Sequence, residues 1–88
     1  YQVIDGRLVI IASMAGAPRN PPWFHNLVQN PAVVVEKDGE TFNARAVVTS
    51  GADRDYLYAK VAEVLPAFKE YQTRTTRVIP VVELQRVG

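Results

Sequence analysis

The chain has 88 residues, a formal charge of +1, 48% hydrophobic and 22% charged residues, the balance of one small globular domain with a thin core. A charge so near zero excludes a strong field for nucleic acid or an anionic membrane. The absence of cysteine and the single histidine exclude a disulfide frame, thiol chemistry and a zinc or iron site built from this chain alone. No apolar run is long enough to span a bilayer, and no signal peptide is visible. Seven of the ten cations are arginine, the residue suited to bidentate recognition of phosphate or carboxylate.

Tyr1 to Ile4 reads as the end of a strand and Asp5-Gly6 as a hairpin turn that favours positive φ. The run from Arg7 to Ser13 carries apolar residues on both faces, the pattern of a central, buried strand. The chain opens at Tyr1, without Met and inside a strand-like pattern, so residues 1–88 are read as one domain lacking its N-terminal segment.

The stretch Ser13 to Pro31 is the organising feature. A glycine-containing loop (Ala15-Gly16-Ala17) leads to a short helix framed by Pro21-Pro22 and Pro31, with Asn20 as its expected N-cap and Asn30 as a left-handed C-cap. Two stripes, Trp23 with Leu27 and Phe24 with Val28, are expected to face inward, and Asn26 shares the Trp23 side. A turn needs two residues; about twenty here imply a wall built for a flat, anionic ligand.

Ala32–Lys37 and Thr41–Val48 flank Asp38-Gly39, a strong hairpin signal, and the second of these strands alternates cleanly. Ser50 to Asp53 reads as a capping box opening a helix to about Val64, with Leu57, Val61 and Val64 buried. Pro66 starts a further turn or two with Phe68 and Tyr71 on one face. Val78 to Leu84 is the last strand, and Pro80 within it predicts an edge position or a strand start. Nothing requires a parallel crossover. The expected fold is mainly β within the α+β class: a small antiparallel barrel with helices at its mouth and flank.

Two segments carry a family resemblance. Ala12-Ser13, Gly16-Ala17, Asn20-Pro21, Trp23 to Leu27 and Asn30-Pro31 resemble the pattern A-S-K-G-G-A-x-x-N-P-x-W-Y-x-N-L-x-A-N-P of the deazaflavin-dependent nitroreductases and quinone reductases. Tyr71-Gln72, Arg77 and Ile79 to Val82 resemble that family's ending Y-Q-x-x-T-x-R-x-I-P-V-V. The resemblance implies a split barrel, the deazaflavin coenzyme F420, and hydride transfer to a quinone or nitroaromatic acceptor in the cytoplasm. Three positions depart from the pattern: Met14 stands for the usual lysine, Leu65 for an aromatic, and Phe68 for a tyrosine. The family's basic phosphate-binding loop has no counterpart here and is expected upstream, as is any segment touching the inner face of the membrane.

On that resemblance the cofactor lies against Ala12, Ser13, Met14, Ala15, Gly16, Trp23 and Asn26, and the acceptor against Tyr1, Phe68 and Tyr71. Ser13 and Tyr71 are the candidate catalytic residues, Tyr71 as a hydrogen-bond donor to the oxygen on which charge builds. Each has a plainer alternative. Trp23 reads first as a core anchor, Asn26 as a buried structural amide, Ser13 as a strand end bonding its own backbone, and Phe68 and Tyr71 as a helix seam. His25 is expected on the surface, Arg19 in solvent, and Arg74 and Arg77 either on the cofactor's tail or bracing the last strand. Three functions stay open: an F420-dependent reductase, a non-catalytic deazaflavin carrier, and an FMN-dependent sister enzyme. A homodimer is an open alternative to a monomer.

Overall fold

A computed structural model describes residues 1–87. Five strands, β1 (Gln2–Ile4), β2 (Arg7–Ile11), β3 (Ala32–Lys37), β4 (Glu40–Val48) and β5 (Val81–Arg86), pair antiparallel in the order β1-β2-β5-β4-β3. The helices are α1 (Pro22–Gln29), α2 (Gly51–Val64) and α3 (Ala67–Thr73), and a 3-10 turn covers Met14–Gly16. The antiparallel α+β architecture expected from the sequence is the one observed, and the sheet does not close: β1 and β3 remain its two edges.

Both Asp-Gly turns form as expected. Asp5 and Gly6 have φ of 51° and 77°, Asp38 and Gly39 of 53° and 78°, the doubly positive pair that matches strand twist in a two-residue hairpin. Of the two placements expected for Pro80 the strand start is the one observed, the strand running from Val81 to Arg86 and not from Val78. β5 is the middle strand, hydrogen-bonded to β2 and β4, and is no edge. Pro80 is tolerated because it precedes the strand, where only its carbonyl is used, accepting from the Ala12 N–H at 3.0 Å.

Alternation sorts the apolar residues onto two faces. On one, Ile4, Val9, Ile79 and Val81 pack under Leu57, Tyr58 and Val61 of α2, with Ile11, Phe68 and Tyr71 at the margin. On the other, Leu8, Val35 and Ala44 form a smaller cluster with Val33, Phe42 and Leu84. Val64 is 63% exposed and is not part of the stripe; Arg54 and Tyr58 are buried in its place. The expected capping box is also absent. Ser50 makes no side-chain cap bond, and Asp53 instead accepts from the two terminal guanidinium nitrogens of Arg7 at 2.8 Å. A bidentate carboxylate–guanidinium pair outcompetes a single carboxylate–amide cap bond.

Helix α1 departs furthest from its expected packing: none of its residues is buried. Its N-cap is Pro21 rather than Asn20, and Asn30 has φ −130°, outside the left-handed region. Two prolines in the first turn leave few N–H groups to cap, so the Asn20 amide is available elsewhere.

Candidate functional site

Strand β2 ends at Ile11, and Ala12, fully buried, carries the chain into the 3-10 turn. Three consecutive residues there have positive φ: Met14 (44°), Ala15 (53°) and Gly16 (82°). Two short bonds close the turn, from the Gly16 N–H to the Ser13 carbonyl at 2.9 Å and from the Ala17 N–H to the Met14 carbonyl at 3.0 Å. The absence of bulk at Gly16 serves a close approach. A Cβ on Gly16 would lie 2.6 Å from the Tyr71 carbonyl oxygen, so the turn sits against the backbone of α3.

Beside this turn lies a cleft of about 360 Å³ lined by Tyr1, Gln2, Val9, Ile10, Ile11, Trp23 and Phe68. Trp23 is 41% exposed and forms its wall, so the core-anchor reading is corrected. Asn26 is exposed and not buried, because α1 lies outside the core; only its backbone is engaged, accepting from the Asn30 N–H at 2.9 Å. Tyr1 and Phe68, expected on the acceptor, share the cleft. Tyr71 is not on its wall but packs edge-on against Phe68, ring centres 5.3 Å apart. Ser13 is half-buried, and its hydroxyl caps nothing, so it does not bond its own backbone at the turn. Met14 is 48% exposed, His25 and Arg19 lie on the surface, and Ala15 is exposed.

The position of Phe68 is held from below. The Tyr58 hydroxyl, on α2, donates to the Phe68 carbonyl, and the two rings meet edge-on at 6.4 Å. Burial pushes the Tyr58 phenol above its ordinary pKa, so it stays a neutral donor through the physiological range. Arg54 stacks over the Tyr58 ring at 4.5 Å and donates to the Ile79 carbonyl at 3.0 and 2.9 Å.

The residue that reasoning from sequence left undecided is Arg77. Its Nε donates to the Ala17 carbonyl at 2.8 Å, Nη1 to the Ala12 carbonyl at 3.1 Å and to Asn20 Oδ1 at 2.7 Å, and Nη2 to the Ser13 carbonyl at 2.8 Å. It braces the loop rather than the last strand. Arg74 stays 55% exposed, beside Glu70 at 3.8 Å. Nothing in the sequence announces this difference, since it depends on which arginine the fold brings under the loop.

An antiparallel, open sheet thus carries an aromatic slot beside a tight backbone turn. At about 360 Å³ the slot lies at the small end of ligand pockets. A family model described as F420H(2)-dependent quinone reductase matches residues 1–86. An F420H(2)-dependent quinone reductase of Mycobacterium tuberculosis is 37% identical over 83 residues, covering 89% of this chain and 54% of its own length. A solved F420-H2 dependent reductase (FDR-A) superposes with a TM-score of 0.84 at 31% identity, covering 93% of this chain and 73% of its own. A second solved structure, a domain-swapped dimer, has the same TM-score and identity and covers 93% of this chain and 62% of its own. The chain therefore belongs to the F420H(2)-dependent quinone reductase family. It spans about half the length of the curated relatives it matches.

Proposed function

We propose that this chain carries the ring-binding and acceptor-binding part of an F420H2-dependent reductase that reduces quinones and, in the same slot, nitroaromatic compounds. The observation that carries the reading is the contiguity of turn and cleft. Ile11 lines the cleft and leads within two residues to Ser13, while Gly16 touches the backbone of Tyr71, whose ring packs on Phe68. When bound, reduced coenzyme F420 supplies a hydride from C5, leaving the deazaflavin oxidised by two electrons while hydride and a solvent proton convert quinone to hydroquinone.

The chain's own residues position and shield. Trp23, Phe68 and Tyr1 offer flat apolar surface that excludes water from the reacting faces. The N–H groups of Ser13, Met14 and Ala15 and the Ser13 hydroxyl are the groups this turn offers to the polar edge of the ring. The Tyr71 hydroxyl is the candidate donor to the acceptor oxygen, with Asn26 at the outer margin of the ring site. Met14 is the natural place to look for a carrier in place of an enzyme, since it stands where the family usually has lysine.

The test is a titration of full-length protein with reduced coenzyme F420 and menadione, with FMN in parallel. Binding of the deazaflavin and loss of its reduced spectrum on adding quinone are expected; binding without turnover would make the protein a carrier, and preference for FMN would overturn the cofactor assignment. Trp23→Ala should weaken coenzyme binding while lowering stability far less than the ~3–5 kcal/mol of a buried tryptophan, since the ring is 41% exposed. A cytoplasmic location and a homodimer belong to the same proposal.

A further inference from the structure

We propose that Arg77 is the positioning residue of the deazaflavin site: it holds the Ala12–Asn20 loop by its carbonyls, turns the loop's N–H groups outward and sets a positive charge behind them. The inference rests on reading that loop as the wall of the cofactor site.

Four acceptors from one loop converge on one planar guanidinium: the carbonyls of Ala12, Ser13 and Ala17 and the side-chain oxygen of Asn20. Only arginine offers a fork of donors wide enough to hold them together. Of its five N–H groups four are engaged, so no pair is left to grip a phosphate or carboxylate side-on. That decides against the tail-binding role.

The clamp also fixes what the loop shows on its far side. No peptide among the described residues is cis, and in a trans peptide C=O and N–H point in opposite directions. With the Ala12 and Ser13 carbonyls drawn to the guanidinium, the N–H groups of Ser13 and Met14 face away from it. Ser13 is right-handed (φ −83°, ψ −39°) and Met14 has φ 44°. A right-then-left pair is the conformation that gathers successive N–H groups into a concavity for a negatively polarised atom. All four acceptors of Arg77 are uncharged, so its charge is not cancelled at the clamp, and a half-buried charge is screened less than a surface one.

Arg77 is itself tied to the helices. Gln72 of α3 donates to the Arg77 carbonyl at 2.8 Å, and its Oε1 accepts from the Ile79 N–H at 3.1 Å and from Arg54 Nη2 at 2.6 Å. Backbone on one side and guanidinium on the other thus connect α2 and α3 to the turn.

The experiment compares wild-type full-length protein with Arg77→Lys and Arg77→Gln. Two probes are titrated, coenzyme F420 and the deazaflavin ring lacking its phosphate–glutamate tail, and amide hydrogen exchange is followed without ligand. Both variants should lose affinity for both probes by the same factor, on the order of tenfold. Exchange should accelerate at Met14 to Ala17 and stay unchanged at Val9 and Val82. Loss of affinity for the tailed coenzyme alone, with loop exchange as in wild type, would make Arg77 a tail ligand and overturn the proposal. If neither variant folds, Asn20→Leu, which removes one of the four acceptors, should move both readouts the same way by less, and no change in either would also overturn it. Wild-type protein that binds neither probe sinks the proposed function, while the exchange measurement, needing no ligand, still decides whether Arg77 holds the loop.

Discussion

Gly16 and Gly39 have nearly the same backbone, φ +82° and +78°, in unlike surroundings. Around Gly39 nothing lies within 4 Å of a would-be Cβ, whereas at Gly16 the Tyr71 carbonyl oxygen is at 2.6 Å and Arg74 Cβ at 2.9 Å. Gly39→Ala should therefore lose only the left-handed penalty, about 1–2 kcal/mol. Gly16→Ala should lose that and about 1–3 kcal/mol more for overpacking, because a backbone carbonyl in α3 cannot swing aside as a side-chain tip does. Urea unfolding of the two variants checks this, and equal midpoints would mean that α3 yields to the turn. The sequence places Gly16 in a loop, but what packs against it was not visible there. Asn20 shows the same limit: its type and place suit a helix cap, and a guanidinium from 57 residues away takes its oxygen instead.

Among the elements, β2, β5 and α2 are joined by one arginine. Arg7 forks onto Asp53 of α2 and reaches Glu83 of β5 at 2.9 and 3.2 Å. The bonds from Arg7 hold both carboxylates below their ordinary pKa. A carboxylate depressed in the folded state adds stability that is present above its unfolded pKa and is lost as pH falls through the folded one. The thermal midpoint should accordingly fall as pH drops below the ordinary glutamate range. Glu83→Gln should cost about 1–3 kcal/mol at neutral pH and flatten that acid limb, since the Glu83 side chain is only 14% exposed. Asp53→Asn should do less, its side chain being 50% exposed and well screened. An acid limb equally steep in Glu83→Gln would remove this pair from the account. Nothing in the spacing of Arg7 and Glu83 announces the contact, since antiparallel pairing of β2 with β5 across 76 positions creates it.

For the whole molecule, the open sheet leaves β1 and β3 with one unpaired side each, and exposed edges invite pairing with another chain. One solved neighbour is a domain-swapped dimer. Light scattering of the full-length protein should give twice the chain mass; a monomer at micromolar concentration would detach this chain from that arrangement.

Local chemistry was enough to place most elements. Alternation laid out β4, two Asp-Gly pairs set both hairpins, and Phe68 and Tyr71 fell on one face of α3 as their spacing required. The proline-framed stretch was enough for the family. What the tertiary structure alone decided was which polar and aromatic side chains meet: Trp23 in a cleft, Asn26 in solvent, β5 at the centre of the sheet, and Arg77 under a loop 57 to 65 residues earlier. Periodicity and turn chemistry act over a few residues and are written locally, whereas burial and the partner of a guanidinium depend on which distant segments the sheet brings together.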